Sequence, residues 1–297
     1  MWCLLPGDES YLFTLADGRE WIFSAEAGCA DWLDTFATIL GLEAGTPGGT
    51  ASELRFIDRS PTPYERGDGW ECQHLNPLRI WSHPERPFRY LECPGTGENS
   101  VNDAIMMSEA ISCFNAIHFS SGALPLHATL LAKEGKAVAI AAPGGTGKST
   151  CAARVPPPWT ALADDMALVI RDGAMKFHAH PLPTWSEIFM HGNTGLRWEA
   201  GRHVPLEAIY FLEQADHDGA TPLGEGEAAI STYASSIQIS HIHLSRLDPA
   251  AARDARRHLF ENACTFAENV PAFRLRATRH GRFWEEIERS MESPGGR

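Results

Sequence analysis

At 297 residues, the chain is long enough for one large domain or two modest ones, with ample material for a core. A formal net charge of −13, with 43% hydrophobic and 21% charged residues, excludes a surface built for nucleic acid or an anionic membrane. No apolar run approaches the roughly 20 residues of a membrane helix, and "MWCLLPGDES" lacks the basic and long apolar regions of a secretory leader. Seven scattered cysteines without a Cys-x-x-Cys pair fit reduced thiols, so the expected location is the cytoplasm. The sequence leaves a homo-oligomer open.

In chain order, the first part reads as β-rich. "YLFTLADGREWIF" predicts a hairpin through Asp17-Gly18. "DWLDTFATILGL" has helical spacing and is expected to stop near the glycines of 45–49, and residues 58–76, polar and punctuated by Pro and Gly, predict loop. "PGTGENS" (94–100) reads as a linker or long turn. A helix then follows, capped by Asn102 or Asp103 and carrying a packed stripe of Ala104, Met107, Ala110, Ile111, Phe114 and Ile117. The expected organisation is a β-rich N-terminal region over 1–100 and a catalytic domain over 101–297.

The middle is the most informative part. "LPLHATLLAKEGKAVAIAAP" predicts two strands joined by a tight turn at Glu134-Gly135-Lys136, the second running straight into "GGTGKST". A helix follows and must end at Pro156-Pro157-Pro158, since proline lacks the N–H and clashes with the preceding turn. "TALADDMALVIRDGAMKFHAH" predicts strand and a hairpin through Asp172-Gly173, and "LEAIYFLEQ" another strand. Residues 248–270 and 282–292 read as helices around the strand "AFRLRA".

A glycine-rich turn between strand and helix converges backbone N–H groups on phosphate oxygens. Pro143, Gly144, Gly145, Thr146, Gly147, Lys148, Ser149 and Thr150 are therefore the candidate triphosphate-binding residues. Lys148 would bridge the outer phosphates and the Ser149 hydroxyl would ligate Mg²⁺. Ala142 replaces the usual first glycine, a position that opens the turn and carries neither the lysine nor the hydroxyl. Asp164-Asp165 closes a short apolar run, where two adjacent carboxylates can divide metal binding from proton removal. The alternative is a solvated Asp-Asp turn.

The run from "LPLHATLL" through "APGGTGKSTCAARV" to "ALADDMALV" resembles the catalytic domain of the HPr kinase/phosphorylase family over about residues 123–170. That resemblance implies an α/β (α+β) fold with a P-loop kinase core of HPr-kinase type and a β-rich N-terminal region. It also implies His127 beside the phosphates and Lys148 on the β/γ oxygens. Ser149 and Asp165 would hold Mg²⁺, and Asp164 would be the general base on a serine hydroxyl. The family's Glu-Ile-Arg-Gly motif is absent, with Glu187 in "HPLPTWSEIF" standing at roughly the corresponding distance. "PPPWTALADD", "HPLPTWSE" and "VPAFRLRATRHGRFWEEIE" look like a branch of HPr-kinase-related proteins tied to ribosomally made, modified peptides, such as lasso-peptide cluster kinases and the SynChlorMet cassette protein ScmC. The resemblance implies an ATP- and Mg²⁺-dependent serine/threonine kinase of a precursor peptide. A regulatory NTPase with water as acceptor and a small-molecule kinase are the alternatives.

Other features keep two readings. By its residues alone, His127 reads as a plain strand histidine, and the resemblance is what makes it a site candidate. His178 and His180 share a strand face and either line the site or tie down an edge, with Trp185 packing a wall; zinc would need a third ligand that is not identifiable. Arg253, Arg256 and Arg257 form either a solvated helix face or an anchor for acidic groups. "GRFWEEIE" reads as a terminal helix docked on the core.

Overall fold

The Asp17-Gly18 turn folds β1 (Ser10–Thr14) back on β2 (Glu20–Ala25), with Gly18 at φ 85°, a value that favours glycine. This hairpin belongs to a computed structural model that describes residues 10–45, 51–61, 68–97, 100–191 and 195–292. The "MWCLLPGDES" start up to residue 9, the glycines beyond Gly45, and residues 98–99 of "PGTGENS" lie outside the described residues.

α1 (Ala30–Leu40) ends earlier than the sequence suggests. Gly41 closes it at φ 66°, and its N–H returns to the Ala37 and Thr38 carbonyls. A Cβ there would lie 2.1 Å from the Trp198 carbonyl oxygen, so this glycine also permits a close backbone approach. β3 (Glu43–Ala44), β4 (Ser52–Ile57), β5 (Glu71–His74), β6 (Arg79–Ser82) and β7 (Phe88–Glu92) complete a sheet in the order β3-β1-β2-β4-β7-β6-β5. β5 corrects the loop expected over 58–76: "ECQH" has no apolar alternation because it is an edge strand with no residue in the core.

α2 (Ser100–Ile117) buries Ala104, Met107, Ala110, Ile111 and Phe114 against this sheet, as its stripe predicts. Phe114 meets Phe13, Phe23 and Trp21 at ring-centroid distances of 5.0, 5.2 and 5.5 Å.

The second sheet contains β8 (Leu124–Lys133), β9 (Lys136–Ala141), β10 (Thr160–Ala163), β11 (Met166–Arg171), β12 (Phe177–Leu182), β13 (Val204–Gln214), β14 (Gly219–Pro222) and β15 (Ala272–Ala277). β8 pairs with β11 through its first half and with β9 through its second. The pairings β11–β12, β12–β13 and β13–β9 then close a circuit. β9, β13 and β15 run parallel, so their C-terminal ends emerge together. Those ends are Ala141, Gln214 and Ala277.

Four helices dress this sheet. α3 (Lys148–Arg154) and α7 (Phe283–Glu292) lie on one face, over a core that includes Leu131, Ile140, Cys151, Tyr210, Leu275 and Phe283. On the other, α5 (Glu225–Arg246) and α6 (Pro249–Asn269) pack over Leu126, Leu130, Leu259 and Phe266. α4 (Trp185–His191) sits instead against the first sheet, with Trp185 beside Phe36 at 6.2 Å. Met166, Leu168, Ile170 and Leu182 join that same core, so the two sheets share one apolar seam. Among the described residues no helix is long and apolar enough to cross a membrane.

Candidate active site

The Glu134-Gly135 turn, with φ 53° and 78°, is the tight hairpin turn expected between β8 and β9. It aims β9 into the loop 142–147, where Gly145 and Gly147 take φ 78° and 115°. No atom lies within 4 Å of a Cβ built on either one, so backbone conformation and not crowding requires glycine there. α3 begins at Lys148 and ends at Arg154, just before the three prolines, as expected. Gln214 at the tip of β13 donates to the Thr146 carbonyl and pins the loop from the side.

Lys148 is only 6% exposed although it is a cation. Its ammonium donates to the Ala142 carbonyl at 2.9 Å and lies 2.6 Å from His127 Nε2. Burial pulls the Lys148 pKa down, against the pull of Asp165 and Asp164. His127 is pushed the same way, first by burial and then by the Lys148 charge. A neutral imidazole therefore satisfies the geometry: Nε2 accepts from the lysine, and Nδ1–H faces Asp165 Oδ1 at 3.4 Å. Carboxylate, histidine and lysine form a chain beside the glycine loop.

Register explains the meeting. β10 and β11 both run antiparallel to β8, and Asp164-Asp165 is the break between them. β8 holds that break in place: the Ala128 N–H donates to the Asp165 carbonyl at 3.1 Å, and the Thr129 hydroxyl donates to the Asp164 carbonyl at 2.8 Å. With the backbone so tied, both side chains are free to leave the sheet. The Thr184 hydroxyl, buried just before α4, donates to Asp164 Oδ1 at 3.3 Å. Thr184 is the residue that sequence reasoning passed over. It lay inside the "HPLPTWSE" stretch already singled out, yet nothing local distinguishes its hydroxyl from any other before a helix.

Ser149 and Thr150 are exposed in the first turn of α3. Glu187 is exposed in the first turn of α4, three residues beyond Thr184. Among the described residues no three His, Cys, Asp or Glu side chains converge into a metal cage. Mg²⁺ does not call for one, since it takes one or two carboxylates and completes its shell with phosphates and water. Ser149 and Asp165 carry oxygen ligands of the type Mg²⁺ takes.

Two clefts flank the loop. One, of about 720 Å³, opens toward α5 and is lined by the loop from Ala142 to Thr146, the tip of β13, and Ser231, Ala234 and Gln238. The other, of about 530 Å³, lies on the α3 side and is described below.

The remaining candidates lie elsewhere. His180 is wholly buried; its Nδ1 donates to the Ala200 carbonyl at 2.8 Å and its Nε2 accepts from the Ala16 N–H at 3.2 Å. It ties the second sheet to the first, and burial drops its pKa to about 4. His178 pairs with Asp172 at 3.0 Å. Of the two readings for these histidines, the tied edge is the one the structure supports, and Trp185 packs into the seam. Arg253, Arg256 and Arg257 are exposed on α6 and line neither cleft; Arg257 pairs with Asp254 and Glu261 on its own helix. They form a solvated face.

The chain matches none of the curated proteins with which it was compared. A family model does match, that of the SynChlorMet cassette protein ScmC, over residues 95–292. The match runs from just before α2 to the end of α7, spans two thirds of the chain, and contains every residue of the loop, the aspartate pair and Thr184. The chain belongs to the SynChlorMet cassette protein ScmC family.

Proposed function

We propose that the protein is a Mg²⁺/ATP-dependent kinase that phosphorylates a serine or threonine of a ribosomally made precursor peptide, on a P-loop core of HPr-kinase type. The observation that carries this reading is the chain from Asp165 through His127 to the buried Lys148 at the edge of the glycine loop, with the Asp164 carboxylate on the next residue and held by Thr184. Membership of a cassette family, and the likeness to peptide-modifying kinases, favour a peptide as acceptor.

Each residue has a physical task. Loop N–H groups from Gly144 to Thr150 hold the triphosphate. Lys148, now resting on a carbonyl and a neutral imidazole, has a stronger acceptor in a phosphate oxygen, because a charge-assisted bond outweighs a neutral one. His127 and Asp165 keep the ammonium aimed at the loop while the nucleotide enters. Mg²⁺, with Ser149 and Asp165 as its protein ligands, would neutralise charge on the phosphates. Asp164 accepts the proton of the acceptor hydroxyl as that oxygen bonds to the γ-phosphorus and the bond to the β–γ bridging oxygen breaks; Thr184 aims the carboxylate. Most of the catalysis is positioning.

The test is incubation with MgATP and candidate precursor peptides, any short one encoded beside the gene first, read by mass. A cognate peptide should gain about 80 Da, the mass of one phosphoryl group with its charge change. The same peptide with its acceptor serine replaced by alanine should bind and gain nothing. Rapid ATP hydrolysis without peptide, with no peptide or small alcohol ever labelled, would overturn the kinase and leave a regulatory NTPase.

A further inference from the structure

The α3-side cleft is where all three parallel strands of the second sheet deliver their C-terminal ends. The loop residues Gly145–Gly147 follow β9, Leu212, Gln214 and Ala215 end β13, and Ala277 to Arg279 end β15; Thr150, Cys151 and Arg154 of α3 close the wall. Ligands of α/β sheets bind outside the carboxyl ends of parallel strands. The α5-side cleft receives only two of these ends, and a helix supplies its other wall.

Direction along the triphosphate separates the two clefts further. Lys148, which marks the outer phosphates, reaches away from β13 and β15 toward β8, where it meets His127 and the aspartates. The inner phosphate and the nucleoside must then lead the opposite way, toward β13 and β15. Cleft charge agrees with this. The α3-side cleft is lined by two arginines and no carboxylate, whereas the α5-side cleft carries Glu213 and no cation.

The two arginines differ in use. Arg154 is tied into the turn after β15, donating to the Thr278 and Gly281 carbonyls, and its guanidinium lies 5.8 and 6.0 Å from the Phe283 and Trp284 rings. It fixes the segment that carries Arg279. Arg279 is exposed at the cleft rim, in a protein of net charge −13.

We propose that the α3-side cleft is the nucleoside subsite, and that Arg279 contacts the base or ribose of the bound triphosphate. This rests on the P-loop reading above. A guanidinium over an aromatic base face contributes modestly at an exposed site, so the expected effect is clear but small.

The test compares ATP with inorganic tripolyphosphate, which has the phosphates and no nucleoside, by titration calorimetry. Arg279→Ala should weaken ATP about 2- to 5-fold and tripolyphosphate less. Ala215→Trp, which fills the cleft from its wall, should weaken ATP more than about 10-fold while tripolyphosphate still binds. Ala234→Trp, which fills the α5-side cleft, should leave both ligands unchanged. If Ala234→Trp ejects ATP and Ala215→Trp does not, the nucleoside lies on the α5 side and the proposal is wrong. A folded wild type that binds neither ligand overturns the phosphate loop itself, and the subsite with it.

Discussion

The glycine-loop region and the seam between the sheets both contain buried histidines, and they use them in opposite ways. At the seam, His180 is wholly buried with both ring nitrogens spent on backbone groups, and His118 stands edge-on to Trp21 and Phe114 at 5.2 and 5.0 Å. At the loop, His127 bonds no backbone group through its ring; it faces a lysine on one side and a carboxylate on the other. His180 satisfies its polar atoms inside the fold, as buried groups must. The loop satisfies them with groups that a ligand can take over. Sequence alone marks neither kind of histidine, so what separates site from scaffold is where the partners come from.

The largest effect that would break this comparison is at the loop. Lys148→Ala should cost at least about 10²-fold in phosphoryl transfer and weaken triphosphate binding, with a folding transition that stays cooperative. Full activity in this variant would place the loop with the scaffold. Next in size is the division between the carboxylates. Asp164→Asn should lose about 10²- to 10⁴-fold in transfer and still bind MgATP, whereas Asp165→Asn should raise the Mg²⁺ concentration needed for half-maximal rate. Identical metal dependence in both variants would end the division of labour.

The seam should respond in stability and not in chemistry. Phe114→Ala removes a ring packed against three aromatics and should cost about 3–5 kcal/mol in urea unfolding, with ATP affinity unchanged where the protein remains folded. Acid sharpens the same point. Burial lowers the pKa of His118 to about 3 and of His180 to about 4, against 6.5 when unfolded. Their stabilising contribution is complete above pH 6.5. Below that the unfolded chain takes up protons that the fold does not, so stability falls toward pH 4 by up to about 1.4 kcal/mol per pH unit for each histidine. Urea midpoints that do not move between pH 7 and 4.5 would contradict this. The smallest effect belongs to the solvated face of α6, where Arg257→Ala should change stability by no more than about 0.5 kcal/mol and leave transfer untouched.

Much of the fold was legible wherever apolar periodicity and turn chemistry agreed. The Asp17-Gly18 hairpin, α2 with its stripe, the Glu134-Gly135 turn and the helix stopped by three prolines all follow from local rules. α5 gave no such signal, because its buried face before His243 and Leu244 is Ala228, Ala229, Thr232, Ser235, Ser236 and Ser240, and small and hydroxyl residues carry no apolar period. β5 was hidden by its edge position, and the end of α1 by a single left-handed Gly41 ahead of the more obvious glycine cluster. Within the site, the loop and the aspartate pair were readable as motifs. Their contact with His127 comes from the register of β8 with β10 and β11, which is a long-range pairing. Thr184 reaches Asp164 through the chain turning from β12 into α4, and no sequence pattern announces that.

The central claim is that the loop cluster moves a phosphoryl group onto a hydroxyl, with Asp164 taking the proton. Its most direct test is a rapid-quench single turnover of γ-labelled MgATP with the cognate peptide, run side by side on the wild-type protein and Asp164→Asn. The account predicts that label appears on the wild-type reaction's peptide within one turnover, while the variant holds the nucleotide and leaves the peptide unlabelled. Label released as inorganic phosphate at equal rates by both proteins, with none on the peptide, would contradict it.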